Sequence, residues 1–84
     1  MNVKIYSTSW CPYCRNAKML MDKKGIAYEE INIEEKGISR EELRKITGGM
    51  SVPQIVINEK PIGGYDNLWA LDQSGELDKT LKMN

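Results

Sequence analysis

Thr8–Lys18 reads TSWCPYCRNAK and holds both cysteines of the chain, Cys11 and Cys14, with Pro12 and Tyr13 between them. Proline is favoured at the first position of a helix, where its missing N–H costs nothing. The stretch is therefore a loop running into a helix, with Cys11 at the N-cap and Cys14 in the first turn. Three readings compete for the pair: half of a metal site, a structural cross-link, or a reacting dithiol.

Composition narrows the choice. The chain has 84 residues, enough for one domain over 1–84 with a modest core. Twelve basic and 12 acidic residues balance, so the excess positive charge of a nucleic-acid binder is absent. The apolar runs are too short for a membrane span, and MNVKIYSTSW lacks the apolar region of a signal peptide. These features predict a cytoplasmic protein with no nucleic-acid or membrane partner. A reducing compartment disfavours a permanent disulfide, so C-x-x-C reads as reactive or metal-bound. There is no histidine, and two cysteines do not fill a four-ligand zinc site; only a site shared across a dimer could. No metal and no tightly bound cofactor are expected, and the protein is expected to be a monomer.

Outward from the dithiol, the pattern resolves into alternating elements. Val3–Tyr6 (VKIY) alternates apolar and polar and predicts a strand. The helix opened by Pro12 is predicted to run to about Lys24, with Tyr13, Ala17, Leu20 and Met21 on one face. Lys23 and Lys24 suit its negative end, and Gly25 suits a left-handed cap beyond. Ala27–Ile33 predicts a second strand. Ser39 and Glu42 make an S-x-x-E capping box, with Ile38 placed to staple onto Leu43, and that helix should end at Thr47 before Gly48 and Gly49. Gln54–Ile57 is an apolar strand. Asn58 and Glu59 can turn it into Lys60–Ile62, where Pro61 points to an edge. Asp66 can cap a last helix bearing Leu68, Trp69 and Leu71. Gly75 interrupts it, and Leu77 and Leu81 suggest a final turn packing back. The order β-α-β-α-β-β-α predicts a parallel crossover followed by a hairpin, hence an α/β fold with a four-stranded mixed sheet flanked by helices.

The helix start also carries chemistry. Free N–H groups of a first turn and the positive end of the helix dipole favour an anion. A thiolate is one, and cysteines in such settings have pKa values lowered from about 8.5 to roughly 3.5–7.5. Arg15 and Lys18 add positive potential. Cys11 then attacks a substrate disulfide, and Cys14, more buried, displaces the product to leave a Cys11–Cys14 bridge.

With C-P-Y-C at Cys11–Cys14, S-V-P at Ser51–Pro53 and G-G-Y-D-N-L at Gly63–Leu68, the chain resembles the glutaredoxins, and over nearly its whole length the small bacterial dithiol type. The resemblance implies a thioredoxin fold with a cis Val52–Pro53 bond facing Cys11. It implies a glutathione-dependent thiol–disulfide oxidoreductase that uses glutathione as co-substrate and reduces glutathione mixed disulfides or protein disulfides. Cys11 matches the nucleophile and Cys14 the resolving cysteine. Tyr13 matches an aromatic residue beside the thiol, or packs. Val52, between Ser51 and Pro53, matches the residue whose backbone pairs with the cysteine of glutathione. Gly64, Tyr65, Asp66 and Asn67 match the site for its γ-glutamyl end, where N–H groups of a helix start suit a carboxylate. Arg40 matches a position that contacts a glutathione carboxylate, or is a solvated helix charge.

Four positions depart from the common pattern of the family. Thr8 stands where lysine is common, Ser51 where threonine is, and Asn67 replaces a second polar or acidic residue. Trp10, directly before Cys11, is more reminiscent of thioredoxins, as a contact surface or a cover over the thiol. Alternatives are a redoxin reduced by a thioredoxin-reductase-type flavoenzyme, an iron–sulfur carrier bridged by glutathione, and a thiol-bearing interaction domain. Trp69 and the methionines at 19, 21 and 50 read as packing residues.

Overall fold

The computed structural model describes residues 2–80. Its elements are β1 (Val3–Ser7), α1 (Pro12–Lys23), β2 (Glu29–Asn32), α2 (Arg40–Thr47), β3 (Gln54–Ile57), β4 (Lys60–Gly63), α3 (Tyr65–Ser74) and α4 (Glu76–Thr80). The four strands form one sheet in the order β2-β1-β3-β4. β1 and β2 are parallel, joined through α1; β1 with β3 and β3 with β4 are antiparallel. With helices on both faces this is the thioredoxin fold. Among the described residues no helix is long and apolar enough to cross a membrane.

Sheet register sorts the core into two halves. Val3 pairs with Ile57 and Ile5 with Ile55, placing all four on one face. Ala17 and Met21 of α1, Leu68 of α3 and Leu77 of α4 pack against them. The opposite face presents Tyr6 and Val56, covered by Ile33 and by Leu43 of α2. Because β1 and β3 are covered on both sides, β3 is buried at every position and carries an unbroken apolar run after Gln54. Burying a side chain such as Met21 or Leu68 contributes roughly 1.5–3 kcal/mol.

Several predicted details change. β2 is shorter than Ala27–Ile33, because Ala27 and Tyr28 do not enter the ladder with β1. The buried stripe of α1 is Cys14, Ala17 and Met21, with Leu20 at its margin. Tyr13 is not on it: one residue before Cys14, it is turned by about 100° around the helix and is 60% exposed. Asp66 does not cap α3; Gly64 is the N-cap and Asp66 lies in the first turn. Met21 packs as expected, but Met19, Met50 and Trp69 are exposed. Leu81 lies outside the described residues. The capping box of α2 forms as predicted: the Glu42 N–H donates to Ser39 Oγ and the Ser39 N–H to Glu42 Oε1, both at 3.1 Å. Ile38 packs on the cluster containing Leu43.

Candidate active site

α1 begins where β1 leaves the sheet. Cys11 is its N-cap in extended conformation, and the Cys14 N–H donates to Cys11 Sγ at 3.1 Å. The Arg15 N–H reaches the Cys11 carbonyl at 3.1 Å, closing the first turn. Cys11 and Cys14 are joined as a disulfide, with Cα atoms 5.2 Å apart. Their environments differ: Cys11 is half-buried, whereas Cys14 is 1% exposed on the core side of the helix. The outer thiol can meet a substrate; the inner one can meet only Cys11 or what is attached to it.

The loop ahead of Cys11 is tied down. The Ser9 N–H donates to Glu34 Oε1 at 3.1 Å, and Asn32 Nδ2 donates to Ser9 Oγ at 3.0 Å. Thr8 Oγ1 donates to the Trp10 carbonyl at 3.4 Å, so the hydroxyl that replaces a lysine serves the loop itself. Trp10 is 85% exposed and does not cover the thiol. Lys18 pairs with Glu30 at 2.8 Å, which commits its charge to β2, while Arg15 is exposed.

Beside Cys11 opens a cleft of about 390 Å³. Its walls are Tyr13, Ser51, Val52, Pro53, Gly64, Tyr65, Asp66 and Asn67. One wall is the segment entering β3, where Val52–Pro53 is cis and the Val52 carbonyl oxygen lies 3.7 Å from Cys11 Sγ. The opposite wall is the start of α3. There the first helical bond runs from the Leu68 N–H to the Gly64 carbonyl, leaving the N–H groups of Tyr65, Asp66 and Asn67 without helical acceptors. Gly64 offers no capping side chain. Asn67 Nδ2 donates to the Ile62 carbonyl at 2.8 Å, fixing the helix start to the end of β4. Tyr13 and Tyr65 stand with ring centroids 6.4 Å apart and bound the cleft on the helix side. Such a cleft offers an extended backbone edge, unused N–H groups and one carboxylate beside a sulfur nucleophile. That suits a small peptide-like thiol with an anionic and a cationic end.

Of the residues singled out from sequence, all but Arg40 line this cleft or carry its sulfur. Arg40 instead donates from Nη1 to the Met50 carbonyl at 2.9 Å. Two residues that sequence reading passed over support the wall around Val52. Gln54 is 5% exposed and donates from Nε2 to the Ser51 carbonyl at 2.9 Å. Thr47 lies beneath Gly49. The signal for Gln54 was present: a polar residue opening an otherwise apolar strand.

Comparison with known proteins follows the same geometry. The Glutaredoxin family model matches residues 3–62. The chain is 47% identical over 81 residues to Glutaredoxin 3 of Escherichia coli K12, covering 96% of this chain and 98% of that one. It is 47% identical over 79 residues to a glutaredoxin of Pseudomonas aeruginosa, covering 94% of each. Among solved structures, the buckwheat glutaredoxin–glutathione complex superposes with a TM-score of 0.86 at 30% identity, over 95% of this chain and 76% of that one. The solution structure of a glutaredoxin from Brucella melitensis superposes at 0.83 with 39% identity, over 98% and 89% of the two chains.

Proposed function

The chain belongs to the glutaredoxin family, a glutathione-dependent thiol–disulfide oxidoreductase, and from that premise we propose how its residues divide the work. The observation that carries the reading is the half-buried Cys11 sulfur at a helix start, facing the Val52 wall of a peptide-sized cleft. In the reduced enzyme the Cys11 thiolate accepts the Cys14 N–H, as its sulfur does in the disulfide. It attacks the glutathione sulfur of a mixed disulfide. A Cys11–glutathione bond forms, the old S–S bond breaks, and the released thiolate takes a proton from solvent. A second glutathione thiolate then attacks the glutathione sulfur bound to Cys11. This gives oxidised glutathione and returns the Cys11 thiolate. With a protein disulfide, Cys11 forms the mixed disulfide, and the Cys14 thiolate attacks Cys11 Sγ. The protein thiolate leaves, and the Cys11–Cys14 bridge waits for two glutathiones.

Glutathione sits with its cysteine along the Val52 backbone. Its γ-glutamyl carboxylate meets the N–H groups at the start of α3, and its ammonium meets Asp66. The buckwheat relative is a glutaredoxin crystallised with glutathione, which supports this use of the cleft. Protein disulfides are the second substrate class. The two core clusters share one sheet, which supports residues 1–84 as a single domain. We take the protein to be a monomer, testable by its elution volume. The dithiol suits the reducing cytoplasm, testable by fractionation. The relatives do not favour the flavoenzyme-served or cluster-carrying alternatives.

The deciding experiment is reduction of a glutathionylated peptide by glutathione with the wild type, Cys11→Ser and Cys14→Ser. Activity should vanish in Cys11→Ser and largely survive in Cys14→Ser, while reduction of a protein disulfide falls in both. Absence of glutathione-dependent turnover in the wild type, with dithiothreitol-driven disulfide reduction intact, would falsify the reading.

A further inference from the structure

Three successive residues lead into Val52, and each is held by a different side chain. Thr47 Oγ1, at the end of α2, accepts the Gly49 N–H at 3.3 Å and lies 3.1 Å from the Gly49 carbonyl, sharing its proton with the Leu43 carbonyl at 2.8 Å. Arg40 Nη1, from the first turn of α2, donates to the Met50 carbonyl at 2.9 Å. Gln54 Nε2, from the first residue of β3, donates to the Ser51 carbonyl at 2.9 Å and lies 3.4 Å from Ser51 Oγ. The Gln54 amide is buried and packs so close to residue 49 that a Cβ there would lie 2.5 Å from Nε2, which requires glycine. Both ends of α2 and the head of β3 thus grip a segment that would otherwise be a glycine-containing surface loop. The next carbonyl, that of Val52, is the one 3.7 Å from Cys11 Sγ. Among the described residues lining the cleft there is no lysine or arginine, and Thr8 is turned to its own loop.

We propose that Arg40 and Gln54, with Thr47, clamp the backbone of Gly49, Met50 and Ser51 so as to set the Val52 edge of the cleft, and that Arg40 serves glutathione as a positioning residue and not as the partner of its glycine carboxylate. The proposal rests on the reading of the cleft as a glutathione site. It narrows specificity: the cleft reads the γ-glutamyl-cysteinyl part of its ligand and is indifferent to the charge at the glycine end. A backbone edge recognises only if it is held still, and the cost of ordering a loop falls on binding when the loop is loose. Loosening the clamp therefore weakens capture of every ligand that uses Val52, whatever its far end carries.

The test uses the reduced Cys14→Ser protein in single-turnover reactions with two mixed disulfides of one peptide. One carries glutathione, the other its glycinamide analogue, which keeps the size and removes the carboxylate. In the parent protein the two half-saturation concentrations should agree within about twofold. Arg40→Gln should raise both alike, by about three- to tenfold, with the limiting rate little changed. Gln54→Met should move both in the same direction, and Arg40→Lys, which keeps a donor, should recover part of the loss. Reactions are run well below each variant's melting temperature, so a purely structural defect does not mimic the split; Arg40 is exposed, so its variants keep the test open if Gln54→Met fails to fold. A parent that binds the amide tenfold worse, with Arg40→Gln affecting only the carboxylate ligand, makes Arg40 a ligand partner and overturns the clamp while leaving the glutathione reading intact. No effect of Arg40→Gln on either ligand overturns the clamp as well. A parent that handles neither better than the mixed disulfide with mercaptoethanol overturns the glutathione reading and this proposal together.

Discussion

The sulfur of Cys11 and the carbonyl oxygen of Val52 lie 3.7 Å apart across 41 residues of sequence. The sheet brings them together. β1 and β3 are antiparallel neighbours, and their ladder ends at Tyr6 paired with Gln54. The chain leaving β1 and the chain entering β3 therefore emerge at the same end of the sheet. The first turns into α1 with Cys11 at its cap; the second enters from Ser51, Val52 and Pro53. A slip of one residue in that register would turn the apolar faces of β3 over, so burial of Ile55 and Ile57 fixes the site as firmly as it fixes the core.

Asp66 supplies the carboxylate of the opposite wall, in the first turn of α3. If it receives the ammonium of the γ-glutamyl end, Asp66→Asn should raise the KM for a glutathionylated peptide by about five- to thirtyfold. The limiting rate should stay close to wild type, because the reacting sulfurs are untouched. Steady-state kinetics with glutathione in excess read this directly. An unchanged KM would remove Asp66 from the binding site and leave it a helix-start charge.

Gly63 adopts φ 109°, and a Cβ there would collide with the Asn67 side chain. Gly63→Ala should therefore destabilise by about 2 kcal/mol or more, from backbone strain and displaced Asn67 together. Asn67→Ala should cost about 1 kcal/mol through loss of the bond to the Ile62 carbonyl. The double variant should cost less than the sum, since the collision disappears while the backbone strain stays. Urea melts of the four proteins measure the coupling; strict additivity would mean the two residues do not compete for that space.

These two walls show where sequence was legible and where it was not. Local rules found the capping box at Ser39, the helix opened by Pro12 and the strand Gln54–Ile57, because each depends on neighbours in the chain. Resemblance placed Val52 and Gly64–Asn67 on one cleft, as the structure does. Arg40 stayed open between a ligand contact and a solvated charge, because whether a surface guanidinium faces a ligand or a backbone carbonyl depends on a loop ten positions on. Tyr13 fits the apolar spacing of α1, yet Cys14 occupies the buried stripe and turns Tyr13 outward. Trp69 and Met19 read as packing residues yet are exposed, because the small sheet has already filled its face with Ala17, Met21, Leu68 and Leu77.

The hairpin between β3 and β4 turns through Asn58 and Glu59, at φ 51° and 69°. Two left-handed residues make the turn that matches strand twist, and asparagine followed by glycine is its preferred pair. Asn58 is anchored: its N–H meets the Asn2 carbonyl and its Oδ1 accepts the Asn2 N–H. Glu59 has no such excuse and sits in a conformation costing about 1 kcal/mol for a residue with a Cβ. Glu59→Gly should stabilise by roughly 0.5–1 kcal/mol and raise the melting temperature by a few degrees, with oxidoreductase activity unaltered. Thermal denaturation tests this, and a lower melting temperature would show that the Glu59 side chain contributes more than its backbone strain takes away.

Glu30 links the sheet to α1. Its Oε2 accepts from Lys18 Nζ and from Ser7 Oγ, each at 2.8 Å. The bond from Lys18, helped by that from the fully buried Ser7, holds the Glu30 carboxyl below its ordinary value of 4.5 against a smaller opposing effect of burial. A carboxylate whose folded pKa is depressed releases its proton more readily in the native state than in the unfolded one. Its stabilisation is therefore fully present above the unfolded value and fades as pH falls through the folded one. Both side chains are about a third exposed, so solvent screening keeps the gain below about 1 kcal/mol at pH 7. Glu30→Gln should melt lower than wild type at pH 7 by a margin that shrinks with added salt. The margin should close as pH falls below about 4, where the wild-type carboxylate itself takes up a proton. A margin that stayed constant from pH 7 to pH 3 would trace the loss to packing around Ser7 and not to the charge.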